Sequence, residues 1–158
     1  SLFDHFAIGR HIKHYVTAIA KFEQFKYPLW GHVAKYYGVE PIDRSNTKKA
    51  IKSLKKVEKE IIKNKVSFLI APEGTRSKNG SLGEFKKGAF HLAKNTGVSI
   101  IPVIINGAYE AKNIKDWRLR PGTIHVYFSD SISENIYKNM SVEELRDYVR
   151  EIMKEFVD

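Results

Sequence analysis

The hydrophobic pattern of the chain predicts three amphipathic helices. In segment 45–65 apolar residues recur every three or four positions, and its first two residues, serine and asparagine, are available as the N-cap. Segment 84–95 repeats this spacing and ends at Gly97, a residue typical of helix termini. The last helix is predicted to open with the capping box of 141–144, and its apolar stripe continues to Phe156.

Short apolar runs between these helices predict β-strands. Segments 66–70, 98–105 and 123–128 are rich in β-branched and aromatic residues, and Pro102 interrupts the second of them. Strands that alternate with helices indicate an α/β fold with a mostly parallel central sheet flanked by helices. The length of 158 residues fits a single domain, 1–158. Ligands of mostly parallel sheets bind at the carboxyl ends of the strands.

The N-terminal third is less regular. Segment 6–25 is predicted to hold helix and a short strand, and 31–37 to form one or two helical turns that end at Gly38. Segment 39–42 is predicted as a short extended piece. Arg44 therefore stands at the close of an extended run.

Aromatic residues lie beside basic ones in this N-terminal region, around Tyr27 and Trp30. This combination is typical of surfaces that lie at a membrane interface. Packing in the core is the alternative, and we favour it for Phe22, Phe25 and Leu29.

The net charge of +9, from 27 Lys and Arg against 18 Asp and Glu, narrows the choice of partners. A basic excess favours nucleic acid, an anionic membrane surface or a phosphorylated substrate. Many lysines fall in segment 48–65, which we interpret as the solvated face of a helix, with a specific anion surface as the alternative. The chain has no cysteine, which excludes disulfides and thiolate metal sites.

The most informative stretch is Glu73-Gly74-Thr75-Arg76, which directly follows the predicted strand 66–70. It places a carboxylate, a flexible backbone position, a hydroxyl and a guanidinium in one loop. Arginine is the side chain best suited to two-pronged binding of a phosphate or carboxylate. The loop is therefore predicted to bind an anion.

Four short blocks, taken in order, resemble the glycerolipid acyltransferases, above all the 1-acylglycerol-3-phosphate (lysophosphatidic acid) acyltransferases. Their motifs are N-H-x-S-x-x-D, G-x5-R, P-E-G-T-R-S and a V-P-V-like strand. The matching residues here are Ser1 and Asp4, Gly38 and Arg44, segment 72–77, and segment 101–104. The ordered set is specific, whereas E-G-T-R alone is a weak signal.

The first block is half present, because the family's histidine would fall two positions before Ser1. We expect a chain truncated within this motif and inactive without that histidine. The resemblance implies that Asp4 orients the histidine as a catalytic residue, with a helix cap as the alternative interpretation of Asp4. His125 and Asp130 also have the H-x4-D spacing, but we interpret His125 as an ordinary strand residue, since the two side chains would point to opposite faces of a strand.

The resemblance implies that Arg44 and Arg76 hold the phosphate of the acceptor, with surface ion pairing as the alternative. Glu73 is expected to hold backbone or Arg76 in place, and Gly74 to permit a close approach of the backbone. Thr75 completes the predicted substrate-binding set. Neighbouring lysines 86 and 87 are placed in the first turn of a helix and interpreted as solvated, with a nearby anion as the alternative.

The function implied by the resemblance is the transfer of a fatty acyl group from acyl-CoA or acyl-ACP to the free hydroxyl of a lysophospholipid. The acceptor attacks the thioester directly, and neither a cofactor nor a metal is implied. We expect association with the cytoplasmic face of a membrane and no nucleic-acid partner. A catalytically inactive lipid- or anion-binding module is the first alternative, and a basic nucleic-acid-binding domain ranks last.

Overall fold

The structure is a computed structural model that describes residues 8, 12, 15–75, 77, 80–111 and 118–156. The described chain divides into two compact units, one of residues up to Ala71 and one that begins at Pro72 and also includes Ile8 and Ile12. The single domain predicted over 1–158 stays a prediction. No helix within the described ranges is both long and apolar enough to cross a membrane.

The first unit is built on a three-stranded parallel sheet of β1 (Val16–Lys21), β2 (Glu40–Ile42) and β3 (Ser67–Leu69). The strand order is β2-β1-β3, with both neighbours of β1 parallel to it. The chain therefore leaves β1 towards one side of the sheet and later returns to the other side. Ligands of parallel sheets gather at such a switch point, beyond the carboxyl ends of the strands.

Two helices and a 3₁₀ turn connect these strands: the turn Phe22–Lys26, α1 (Pro28–Tyr36) and α2 (Thr47–Asn64). Helix α2 confirms the prediction over 45–65, and its N-cap is Asn46, whose side chain accepts from the backbone of Lys49 at 3.1 Å. The helix buries Val57 and Ile61. Helix α1 begins three residues earlier than predicted, because a proline fits the first turn of a helix, where its missing N–H costs nothing.

The outward face of α1 corrects the prediction for two residues. Leu29 is 82% exposed and Phe22, in the preceding 3₁₀ turn, is 47% exposed, so placing them in the core was wrong. Helix α1 buries its small residues Gly31 and Ala34. Because small residues allow close approach, the large side chains turn outward.

The second unit carries four helices and one strand pair within its described residues. They are α3 (Gly88–Thr96), β4 (Val103–Asn106), α4 (Ala108–Ala111), β5 (His125–Phe128), α5 (Glu134–Tyr137) and α6 (Val142–Lys154). Strands β4 and β5 pair antiparallel, which differs from the parallel arrangement of the first sheet. Strand β4 starts only after Pro102, since proline has no N–H to donate to a ladder.

Helix α6 closes the core of this unit. Its predicted capping box is confirmed: the Ser141 hydroxyl accepts from the backbone of Glu144 at 3.1 Å, and the Glu144 carboxylate accepts from the backbone of Ser141 at 2.6 Å. The helix buries Leu145 and Val149. They pack in one cluster with Phe85, Phe90, Ala93, Ile104, Ile132, Tyr137 and Met153. Phe85, a member of this core, lies two residues after Gly83 in the sequence.

Candidate functional site

Glu73 clamps the two ends of the loop that follows β3. Its carboxylate oxygen Oε2 accepts from the backbone N–H of Gly83 at 2.9 Å, ten residues further along the chain. The expectation that Glu73 holds backbone in place is thus confirmed. Arg150 on α6 supports the same segment, because its guanidinium donates to the carbonyl oxygen of Gly83 at 3.2 Å and to that of Leu82 at 3.4 Å.

Gly74 occupies a conformation that favours glycine. Its φ is +70°, in the left-handed region, and the residue is buried. A Cβ at this position would lie 3.2–3.3 Å from Cδ, Cε and Nζ of Lys86. The atoms nearest to this position belong to the side chain of Lys86, and the predicted close approach of the backbone at Gly74 stays a prediction. Lys86 also donates its backbone N–H to the carbonyl oxygen of Pro72 at 2.9 Å, so it is attached to the turn at two points.

The remaining residues of the loop are only partly within the described chain. Thr75 is exposed, and the hydroxyl of Ser77 donates to the carbonyl oxygen of Ser81 at 2.9 Å. Arg76 and the predicted catalytic Asp4 both lie outside the described residues. Their roles stay predictions from the motif.

Arg44 follows β2 in the first unit, as the sequence predicted for the end of an extended run. Although the residue is exposed, partial burial of its side chain lowers the pKa of the guanidinium, and the charge of Glu23 opposes this shift. The guanidinium stays protonated at neutral pH. Within the described chain no carboxylate lies at ion-pair distance from Arg44, so its charge is available to an anion.

The carboxylate of the neighbouring Asp43 already accepts hydrogen bonds. Its Oδ1 accepts from the hydroxyl of Ser45 at 2.6 Å and from the Ser45 backbone at 3.1 Å. The Ser45 hydroxyl bond is the largest of the effects that hold the pKa of this carboxyl below its ordinary value. Lys49 lies 3.6 Å away. Asp43 therefore stays ionised, and the ammonium group of Lys49 partly offsets its charge towards an anion at Arg44.

The lysines of α2 are exposed, which confirms the interpretation of segment 48–65 as a solvated helix face. Some of them line a cleft of about 610 Å³ beside β2. Lys56 pairs there with Glu40 at 2.6 Å. The alternative of a specific anion surface on α2 stays a prediction.

His125 lies on β5, opposite Asn106 of β4, with its side chain exposed. It stacks on Tyr127, with ring centroids 6.2 Å apart. This location confirms that His125 is a strand residue. His125 begins β5, and Asp130 lies two residues beyond the end of that strand at Phe128.

Comparison with known proteins identifies the group to which these motifs belong. Residues 1–106 match the sequence model of the family described as Acyltransferase. The chain belongs to the acyltransferase family. The resemblance drawn from the four ordered blocks is thereby confirmed.

Two curated relatives from distant organisms carry the same name. The chain is 37% identical over 158 residues to the 1-acyl-sn-glycerol-3-phosphate acyltransferase of Cocos nucifera, which covers 100% of this chain and 50% of that protein. It is 35% identical over 128 residues to the protein of that name from Escherichia coli K12, and this match covers 81% of this chain and 51% of that protein. The chain thus spans about half the length of these relatives.

A solved structure supports the fold of this acyltransferase-family chain. The 1-acyl-sn-glycerophosphate (LPA) acyltransferase PlsC from Thermotoga maritima matches with a TM-score of 0.75 and 28% sequence identity. The match covers 90% of this chain and 55% of that protein. The predicted α/β fold, with a parallel sheet flanked by helices, is confirmed.

Two residues of the loop's surroundings were not among the predicted site residues. Arg150 lies 67 residues from Gly83, so no local sequence pattern could have revealed that it holds the end of the loop. Lys86 was predicted in the first turn of a helix together with Lys87, which was wrong, because α3 begins only at Gly88. The backbone N–H of Lys86 donates instead to the carbonyl oxygen of Pro72.

Proposed function

We propose that this chain transfers a fatty acyl group from acyl-CoA or acyl-ACP to the free hydroxyl of 1-acylglycerol 3-phosphate and so forms phosphatidate. The observation that carries the proposal is the loop after β3, in which the carboxylate of Glu73 is bonded to the backbone of Gly83. This bond ties the start of the loop to its end, and positioning supplies much of the acceleration in a transfer between two bound reactants.

The proposed chemistry needs a base, because a glycerol hydroxyl is a weak nucleophile at neutral pH. The histidine of the family's first block takes the hydroxyl proton, and Asp4 orients that histidine and stabilises its charged form. The acceptor oxygen then bonds to the thioester carbonyl carbon, and the carbon–sulfur bond breaks. The proton passes from the imidazolium to the departing thiolate, so that the free thiol of the carrier is released.

The acceptor is held by its phosphate in this scheme. Arg44 and Arg76 each present a guanidinium, a group that binds phosphate through two parallel hydrogen bonds. For Arg44 the support is that no carboxylate of the described chain lies at ion-pair distance from it and that Asp43 accepts hydrogen bonds from Ser45. The hydroxyl of Thr75, exposed in the loop, is available to a phosphate oxygen.

Acyl transfer is tested directly with the natural full-length protein. Incubation with an acyl-CoA and 1-acylglycerol 3-phosphate is expected to give phosphatidate and free CoA in equal amounts, measured by thin-layer chromatography and a thiol reagent. Acyl-ACP in place of acyl-CoA identifies the carrier. Tight binding of the acceptor with neither thioester consumed would instead support the inactive lipid-binding module.

We further propose that α1 contacts the membrane surface on its cytoplasmic side. Leu29 and Tyr36 are 82% and 87% exposed, and Val33 lies between them on the same face of the helix. Apolar and aromatic side chains on an outward face bind at the boundary between headgroups and acyl chains. The net charge of +9 adds attraction to anionic lipids.

The chain 1–158 is expected to co-sediment with vesicles of phosphatidylglycerol and phosphatidylcholine. A double Leu29→Glu and Tyr36→Glu variant should have a vesicle partition coefficient that is lower by roughly tenfold or more. Each change removes apolar area that would be buried in the membrane surface. Ile136→Glu, at an exposed apolar position of α5, is the matched control and should bind as the unsubstituted chain does. Equal partition of all three proteins would exclude α1 as the membrane contact.

A further inference from the structure

The side chain of Lys86 lies next to the turn that contains Gly74. Its Cδ, Cε and Nζ lie 3.2–3.3 Å from the point where a Cβ at Gly74 would stand, and its backbone N–H donates to the carbonyl oxygen of Pro72. Gly74 is buried with a φ of +70°, whereas Lys86 is exposed. The ammonium group of Lys86 therefore lies at the turn and is accessible to a ligand.

The charge of Lys86 has no counterion in the described chain. The turn itself contributes the carboxylate of Glu73, and its Oε2 accepts from the backbone N–H of Gly83. The next residue, Lys87, differs: its ammonium group lies 2.5 Å from the carboxylate of Glu143 on α6. The two adjacent lysines thus differ: Lys87 has a carboxylate partner on α6, and Lys86 has none among the described residues.

We propose that Lys86 binds the phosphate group of the acceptor, donating from Nζ to a phosphate oxygen. This inference rests on the proposed function, which supplies a phosphorylated acceptor. An ammonium group offers three donors and a compact positive charge, and hydrogen bonds between charged partners are the strong ones. A Cβ at Gly74 would lie within 3.3 Å of Nζ of Lys86, so the turn and the ammonium group are close neighbours.

A purely structural role for Lys86 makes a different prediction. The aliphatic part of the side chain covers Gly74, and methionine has a similar length and apolar volume without the charge. Lys86→Met therefore retains the packing and removes the charge. Lys86→Arg restores the charge with a different headgroup and tests whether the charge matters.

Steady-state kinetics of the full-length protein separate these roles. Lys86→Met is expected to raise the KM for 1-acylglycerol 3-phosphate roughly tenfold, the loss expected for one charge-assisted hydrogen bond at a partly exposed site. Its kcat and its KM for the acyl thioester should stay within about twofold of the unsubstituted enzyme, and Lys86→Arg should recover most of the loss. Lys87→Met is the matched control and should leave all three constants unchanged.

An acceptor KM that is unchanged in Lys86→Met overturns the inference while the proposed function stands. If the unsubstituted protein forms no phosphatidate, the proposed function fails, and direct binding then decides about Lys86. Glycerol 3-phosphate, titrated calorimetrically, should bind the unsubstituted protein and Lys87→Met alike and bind Lys86→Met at least several-fold more weakly. Equal binding by all three, or binding by none, would refute a phosphate site at Lys86.

Discussion

The Leu145→Ala variant is expected to lose about 3 kcal/mol of unfolding free energy, the largest stability effect that we predict. Leu145 is 0% exposed and lies at the centre of the cluster that α6 forms with Phe85 and Phe90. Truncation removes apolar atoms from this packed environment and leaves a cavity, and both contribute to the cost. Urea unfolding followed by circular dichroism measures the change as a lower midpoint with an unchanged slope.

The matched control is the same chemical change at an exposed position. Leu29 on α1 is 82% exposed, so Leu29→Ala should change the unfolding free energy by less than about 0.5 kcal/mol. A loss at Leu145 no larger than that at Leu29 would mean that α6 does not close the core of this unit.

Local patterns made the helices predictable. The cap at Asn46 and the capping box at Ser141 depend on residues three positions apart, and the structure contains both hydrogen-bonded caps. The apolar stripe that buries Val57 and Ile61 also repeats within a single helix. Information of this kind lies in neighbouring residues, so one sequence is sufficient to read it.

Contacts between distant residues were not predictable in the same way. The antiparallel pairing of β4 with β5 depends on the path of the chain between Asn106 and His125, which the apolar runs do not specify. The exposure of Leu29 depends on which face of α1 meets the rest of its unit. Periodicity identifies a helix, whereas tertiary packing decides which of its large residues are covered.

In the candidate site, too, local sequence motifs were predictable and contacts between distant residues were not. The motif residues Glu73 and Gly74 were found from their order in the sequence, and Arg44 from its place after an extended run. The sequence left the partner of Glu73 open between backbone and Arg76, and the structure shows a bond from the backbone N–H of Gly83. Lys86 looked like one of many surface lysines until its contact with Gly74 distinguished it from Lys87.

Arg76→Ala is expected to reduce kcat/KM for 1-acylglycerol 3-phosphate about 100-fold, which corresponds to about 2.8 kcal/mol of lost transition-state binding. The guanidinium is proposed to hold the acceptor phosphate through charge-assisted hydrogen bonds, and one such bond contributes about 1.5–3 kcal/mol net of its exchange with water. The residue follows Thr75 in a loop that Glu73 fixes to Gly83. Initial rates over a range of acceptor concentrations, with saturating thioester, measure the effect.

The choice of acceptor distinguishes phosphate binding from general damage to the loop. With a monoacylglycerol, which has a free hydroxyl but no phosphate, Arg76→Ala should be as active as the unsubstituted enzyme, because the lost interaction is absent from both reactions. Arg146→Ala is the control for removal of an arginine, since Arg146 pairs on α6 with the adjacent Asp147 at 2.7 Å. An equal loss with both acceptors, or a change in stability alone, would show that Arg76 supports the loop and does not bind the phosphate.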